Sequence, residues 1–159
     1  MTNNQCYIGT PNGVLLCMDK AGPDDVAGRI WHGYSEECFV FHQWSQAVRV
    51  MEQLFDRIQF PFPSTSFRTF DGYQRAVRHT QEVPRIMSDN ELLKKRGDLG
   101  TFIVRVQHRQ NSSWQGRITW MEEDKTVYFR SIWEMIKLVE NALDSTEPVD
   151  PDEKEISWD

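Results

Sequence analysis

The 159-residue sequence has no long apolar run, few cysteines and no excess of positive charge. No stretch approaches the ~18 apolar residues that a membrane span requires, and the polar beginning MTNNQ does not resemble a signal peptide. Cys6, Cys17 and Cys38 are odd in number and show no CxxC spacing, which disfavours a disulfide framework or a zinc site. We therefore expect a cytoplasmic protein with reduced thiols and no membrane association.

Motifs for catalysis, metal binding and cofactor binding are also missing. His32, His42, His79 and His108 are scattered, and no HExxH, His/Cys cluster or nucleophile elbow is present. Cys38 lies near His32 and His42 in the sequence, but strand alternation predicts a half-buried thiol beside packed imidazoles rather than a nucleophile–base pair. We expect a protein that is not an enzyme and that holds no metal and no cofactor.

The net charge of −6 is concentrated at the end of the chain. Asp144–Asp159 contains seven acidic side chains and one lysine, whereas the preceding 143 residues contain 17 of each sign. A segment this acidic and proline-rich does not bury enough apolar surface to fold alone. We expect a neutral folded body over residues 1–144, followed by an acidic tail over residues 145–159.

An ungapped comparison places Val14–Asp56 on Phe102–Asp144, 88 residues later. Gly28-Arg29-Ile30 falls on Gly116-Arg117-Ile118, and the apolar residues near the end of each half share the spacing i, i+3, i+4, i+7, i+10, i+11, one buried stripe of a helix. We predict an α+β fold of tandem duplicated βββα units related by a pseudo-twofold axis. Each antiparallel sheet is backed by one helix, and the sheets are joined or packed with the helices inside. Two convergently similar halves are the alternative.

Turn and periodicity signals divide the chain into four parts. These are a first βββα unit (1–58), an aromatic and proline-containing connector with a short helix (59–100), a second βββα unit (101–144) and the tail (145–159). In the first unit, Asn12-Gly13 predicts a turn between strands, because both residues tolerate positive φ. The other predicted elements of this unit are strands Gln5–Ile8, Val14–Met18, Gly28–Gly33 and Cys38–Phe41, a polar loop Asp19–Asp25, and a helix Gln43–Ile58 without a good N-cap residue.

The connector contains five aromatic residues between Phe60 and Tyr73, and Pro61 and Pro63 exclude a helix or central strand there. The face of the first sheet that points away from the helix is mostly apolar, so something is expected to cover it. We predict that the aromatic segment lies across that face; an exposed aromatic ligand-binding segment is the alternative. Ser88–Glu91 matches a capping box, which predicts a short helix.

Strand alternation predicts that the second unit has a polar, cationic face. Four arginines at alternating positions, with amides, hydroxyls and one phenol between them, form a surface that can grip phosphates or carboxylates. A plain solvent-exposed face is the alternative. The predicted partner-binding or nucleic-acid-binding residues are Arg105, Gln107, Arg109, Arg117, Thr119, Tyr128 and Arg130, together with Trp158 in the tail.

Three resemblances bear on the second half. Three strands backed by a helix, with Arg105, Arg117 and Arg130 on the sheet, resemble plant ethylene-response-type DNA-binding domains, although the glycine and tryptophan signature of that family is absent. The same βββα order resembles HicB-type antitoxin domains. The pattern IVRV…WQG…W…K…FRS…E…L over Ile103–Leu138 resembles uncharacterised bacterial proteins, which implies a bacterial or mobile-element origin without an activity.

These features favour a non-enzymatic intracellular binding protein that contacts a protein partner. A regulator or inhibitor carried on a mobile element, of anti-defence type such as an anti-CRISPR protein, fits the small size and the acidic tail. Nucleic-acid binding through the arginine face is the alternative, but a neutral body weakens it because counterion release needs a cationic surface. The sequence leaves a homodimer open.

Overall fold

The computed structural model describes residues 6–80 and 82–144 and shows an α+β fold with one large sheet, one small sheet and three helices. None of the described helices is long and apolar enough to cross a membrane. In chain order the elements are β1 (Val14–Gly22), β2 (Asp25–Trp31), β3 (Phe39–Phe41), α1 (Trp44–Ile58), β4 (Phe67–Thr69), β5 (Gly72–Gln74), α2 (Asp89–Leu92), β6 (Gly100–Gln110), β7 (Ser113–Trp120), β8 (Lys125–Phe129) and α3 (Ile132–Asp144).

The large sheet has six antiparallel strands in the order β3-β2-β1-β6-β7-β8. The two three-stranded halves are therefore joined edge to edge, through pairing of β1 with β6 over Val14–Met18 and Gly100–Val104. Helices α1 and α3 share one hydrophobic core with residues from all six strands, so both helices pack on the same face of the sheet. We call this face the helix face and the opposite one the second face.

The second face is covered over the central strands, as its apolar composition predicts. A second core cluster joins Leu15, Cys17 and Ile103 of the sheet to Ile8 from the N-terminal segment and Leu92 from α2. The covering elements are thus the N-terminal segment and the end of the connector. The prediction that the aromatic part of the connector lies there is wrong, because Phe60–Tyr73 runs out into the separate hairpin β4–β5.

The two halves of the sheet share their strand registers at the 88-residue offset. Leu16 pairs with Ile30, and Val104 pairs with Ile118; both ladders then shift register at a bulge, between Met18 and Lys20 in β1 and between residues 106 and 108 in β6. The outer pairs agree as well, because Gly28 lies opposite Phe41 and Gly116 lies opposite Phe129. The halves meet symmetrically, since Leu15 pairs with Ile103, its counterpart in the sequence comparison.

Several boundaries differ from the sequence prediction. No strand is present in the described residues 6–8, because that segment crosses the second face instead of pairing with β1. The predicted polar loop Asp19–Asp25 is largely strand, since β1 continues to Gly22 and the turn is limited to residues 22–25. By contrast, α1 begins and ends within one residue of its prediction, and Gln43 makes no side-chain cap hydrogen bond, as expected.

The predicted capping box at Ser88–Glu91 is present, and an altered form of the same arrangement begins α3. At α2 the Ser88 hydroxyl accepts from the Glu91 backbone N–H, and the Glu91 carboxylate accepts from the Ser88 N–H. At α3 the Ser131 hydroxyl accepts from the Glu134 N–H, but the Glu134 carboxylate accepts from the N–H of Arg130, one residue before the cap. The start of α3 is therefore tied to Arg130, the first residue after β8.

Gly116 tests how tightly β6 and β7 approach each other. A Cβ atom added at Gly116 would lie 2.1 Å from the Arg105 carbonyl oxygen, a backbone atom that cannot move aside. We expect Gly116→Ala to lower the free energy of unfolding by about 1–3 kcal/mol or more, because overpacking forces the two strands apart. Gly22→Ala is the control, since the nearest atom to its added Cβ is 3.7 Å away. Chemical denaturation of both variants measures the difference; equal midpoints would contradict the close approach.

Candidate functional site

Arg105, the first of the predicted binding residues, is a buried anchor for the N-terminal segment. Its side chain is only 4% exposed on the second face. The guanidinium donates hydrogen bonds to the carbonyl oxygens of Tyr7 and Ile8 and, at 2.8 Å, to the Thr119 hydroxyl. The Thr119 hydroxyl in turn lies 2.8 Å from that of Thr126 on β8. Arg105 and Thr119 therefore hold the molecule together and are not available to a partner.

Arg117 lies beside Arg105 on β7, with Tyr128 of β8 on its other side. It is half-buried, and its Nε has no hydrogen-bond partner among the described residues. Burial, and then the nearby charge of Arg117, lowers the pKa of Arg105. Tyr128 is 69% exposed, and Gln107, which occupies the bulge in β6, is exposed as well. Gln107, Arg117 and Tyr128 remain as a small accessible part of the predicted surface.

The prediction that Arg109 shares this face is wrong. The bulge at Gln107 adds one residue to β6, so the side chains beyond it change faces. Arg109 pairs with Trp114, which is buried in the core on the helix face, and only 4% of the Arg109 side chain is exposed. Its guanidinium donates to Glu52 at 2.8 Å and Asp56 at 2.6 Å on α1.

The Arg109 network ties three parts of the chain together. Nε of Arg109 donates to the Pro61 carbonyl at 2.7 Å, and the Trp114 indole donates to the other Glu52 oxygen at 2.8 Å. The backbone of Arg109 takes part as well, because its carbonyl oxygen accepts a hydrogen bond from the backbone N–H of Ser64 at 3.0 Å. The end of β6 thus fixes both α1 and the start of the connector.

Arg130 has an 87% exposed side chain, but it is already paired. Its guanidinium donates to both carboxylate oxygens of Glu134, the nearer at 2.8 Å. This hydrogen bond holds the pKa of Glu134 below its usual range. Trp158 lies outside the described residues. The four arginines of the predicted face therefore differ in environment. Arg105 and Arg109 are buried and structural, Arg130 is paired with Glu134 of α3, and Arg117 is half-buried.

The hairpin β4–β5 presents a surface that the sequence interpretation did not select. We call Phe67–Gln74 the aromatic hairpin. Phe70 stands at its tip with a relative exposure of 111%, and Tyr73 is 75% exposed. Thr69 pairs with Gly72, so the turn consists of Phe70 and Asp71. Asp71-Gly72 is a hairpin signal that could have identified this element, because Gly72 adopts a φ of 137° that other residues avoid.

The aromatic hairpin is held at its base, and arginines surround it. Asn111 at the β6–β7 turn donates its N–H to the Thr65 hydroxyl at 2.8 Å, next to the Ser64 contact. On the other side, the Arg78 guanidinium lies 4.0 Å from the centre of the Phe62 ring. A cleft of about 350 Å³ opens between the hairpin and α1. The residues that line this cleft include Asp56, Phe62, Phe67, Arg75, Val77 and Arg109.

The histidines and cysteines do not form a shared cluster in the described part of the chain. No group of three or more His, Cys, Asp or Glu side chains there is arranged to hold a metal. Burial raises the pKa of the Cys17 thiol to about 11, which keeps it protonated and unreactive at neutral pH. Nδ1 of His32 accepts the Tyr34 N–H at 3.1 Å, so this imidazole has a structural role.

Comparisons with protein-family models, with curated proteins and with solved structures found no match.

Arg109 provides a test of the helix-face network. Replacing it with methionine leaves the Glu52 carboxylate without its cation, and we expect Arg109→Met to lower the free energy of unfolding by about 2–3 kcal/mol. The cost falls short of that for a fully buried pair because Asp56 is 63% exposed. Arg130→Met is the control; its exposed pair with Glu134 predicts little change. Urea denaturation compares them, and equal losses would place Arg109 on the surface.

His32 provides a pH-dependent test. Burial, and then the charge of Arg57, lowers its pKa from 6.5 to about 4. Between these values the unfolded chain binds the proton and the folded chain does not, so folding stability falls as the pH drops through this window. We expect His32→Gln to reduce the fall in melting temperature between pH 7 and pH 5, and substitution of the exposed His42 by glutamine serves as the control. An unaltered pH dependence in His32→Gln would contradict burial of a neutral imidazole.

Proposed function

We propose that this protein is a non-catalytic binding protein that contacts a protein partner through the aromatic hairpin. The observation that carries the proposal is the full exposure of Phe70 at the hairpin tip, with Tyr73 close behind it. Leaving two large rings in water gives up the stabilisation that their burial would provide. Aromatic side chains of this kind are the usual energetic centres of protein interfaces.

The way the hairpin is mounted supports the proposal. A two-stranded hairpin is at best marginally stable by itself. Here the chain just before it is fixed to the body by Ser64 and Thr65, which bond to the end of β6 and to Asn111. On the far side, the Gln59 side chain exchanges two hydrogen bonds with the His79 backbone. A preorganised tip loses little entropy on binding.

The charges near the tip indicate the chemistry of the partner. Arg68, Arg75 and Arg78 lie on or just after the hairpin, and Asp71 is the single acid among residues 67–78. An apolar pocket with an acidic rim is the complementary surface, because its carboxylates would meet the arginines while Phe70 enters the pocket. A regulator or inhibitor carried on a mobile element, of anti-defence type, is the biological setting that we propose for such a contact.

We extend the proposal to the origin of the fold as a tandem duplication of a βββα unit. The support is the agreement of the strand pairing with the 88-residue offset. The same two ladders, the same bulge position and the same glycine–phenylalanine pair occur in each half. A pairing that places Leu15 opposite Ile103, its own counterpart, is what a pseudo-twofold axis between two copies requires.

Nucleic-acid binding is the alternative, and one observation keeps it in consideration. Exposed aromatic rings next to arginines also describe a surface on which single-stranded bases can stack. Nucleic-acid binding through the predicted arginine face loses support because Arg105 and Arg109 are buried. The two candidates differ in salt dependence, since phosphate contacts weaken steeply as salt rises and a packed aromatic contact does not.

The proposal is tested by affinity capture from a lysate of the native cell, with the double variant Phe70→Ser/Tyr73→Ser. We expect the wild type to retain one specific protein at high salt, and the variant to lose it, because interface aromatics each contribute about tenfold or more in affinity. The control is Trp133→Ser, which removes a 63% exposed aromatic side chain on α3, outside the hairpin and its cleft.

Two results would contradict the proposal. If Phe70→Ser/Tyr73→Ser retains the same protein as the wild type, the hairpin is not the contact. If the retained material is nucleic acid that is released as salt rises, the alternative replaces the proposal. Circular dichroism of each variant establishes that the sheet and helices remain folded.

A further inference from the structure

β8 forms one edge of the large sheet, and within the described residues it pairs only with β7. Four of its five residues are exposed. Val127 is 46% exposed on the helix face, and Tyr128 is 69% exposed on the second face. The outer backbone groups of such a strand form a row of donors and acceptors that can pair with another strand.

The features that usually protect a sheet edge are nearly absent from β8. It contains no proline and no bulge, and Lys125 is its only charged residue. The opposite edge differs, because β3 is only three residues long and offers little to pair with. A five-residue edge with exposed apolar side chains on both faces is the kind that accepts an added strand.

We infer that β8 is the interface of a homodimer, in which the β8 strands of two copies pair antiparallel around Val127. In this register Val127 of one chain lies opposite Val127 of the other. Thr126 of each chain lies opposite Tyr128 of the other chain. These residues match in face as well, since Thr126 and Tyr128 share the second face and Val127 lies on the other. The result is a continuous twelve-stranded sheet with all the long helices on one face.

The charges beside β8 favour the antiparallel arrangement. The acidic turn Glu122-Glu123-Asp124 comes just before the strand, and Arg130 comes just after it. Antiparallel pairing brings the acidic turn of each copy next to Arg130 of the other, so opposite charges meet at both ends. Parallel pairing would instead place the two acidic turns side by side. A second copy is therefore a complementary occupant of this edge.

The centre of the molecule already uses the same geometry. There β1 and β6 pair antiparallel around Leu15 and Ile103, which joins two three-stranded halves into one sheet with both helices on one face. The β8 contact repeats this arrangement between chains. A groove of about 300 Å³ next to Val127, bordered by Trp120 and Leu138, adds apolar surface for the second copy to cover.

The test is the mass in solution, measured by sedimentation or light scattering. We expect wild-type protein at about 100 μM to have twice the chain mass of 18.7 kDa, since even a weak dimer is populated at that concentration. Val127→Lys places two like charges opposite each other and is expected to give the monomer mass. Val40→Lys is the matched control: it changes a 53% exposed valine on the other edge strand and is expected to remain dimeric.

A second experiment tests the register and does not depend on the folding of Val127→Lys. Opposite residues at the centre of an antiparallel pair lie about 4.5–5.5 Å apart at Cα, which a disulfide can span. In a Cys6→Ser/Cys38→Ser background, Val127→Cys should give a reducible covalent dimer on mild oxidation, and Val40→Cys should not. A monomeric wild type at about 100 μM, dissociation by Val40→Lys alone, or crosslinking through Val40→Cys alone would each overturn the inference.

Discussion

The pairing of β1 with β6 is the constraint on which the rest of the structure depends. These strands lie at the centre of the sheet, and from Val14 to Met18 and from Gly100 to Val106 every residue is buried. Strands with both faces covered are expected to contain nearly continuous apolar runs, and VLLCM and FIV are such runs. Because the helices cover only one face, the chain must supply a second cover. The N-terminal segment and α2 do so with Ile8 and Leu92.

Arg105 follows from the same constraint. A cation in the middle of a buried strand is costly unless its donors are satisfied. The backbone carbonyls of Tyr7 and Ile8 provide acceptors because the described residues 6–9 cross the sheet as irregular chain and pair with no strand. Arg105 and the segment that covers it therefore stabilise each other: the arginine supplies the donors that the unpaired carbonyls need, and the carbonyls make its burial tolerable.

Local patterns in the sequence predicted the elements well and their long-range arrangement less well. The 3.6-residue period identified α1 and α3, and strand alternation correctly placed Arg105 on the face away from the helices. The face of Arg109 could not be predicted, because a bulge is a property of the pairing and nothing around Gln107 marks it locally. The burial of Arg105 depends on residues almost one hundred positions away. The aromatic hairpin was within reach, since Asp71-Gly72 is a local turn signal.

The demands of the central strands also explain where recognition can occur. The residues Val14–Met18 and Gly100–Val106 are covered on both faces and offer no surface to a partner. Large exposed side chains lie elsewhere, among them Phe70 and Tyr73 on the connector and Val127 and Tyr128 on β8. Connecting segments tolerate such side chains because their packing does not hold the sheet together. In this molecule the buried arginines stabilise the fold, and the exposed rings of Phe70, Tyr73 and Tyr128 lie away from the central strands.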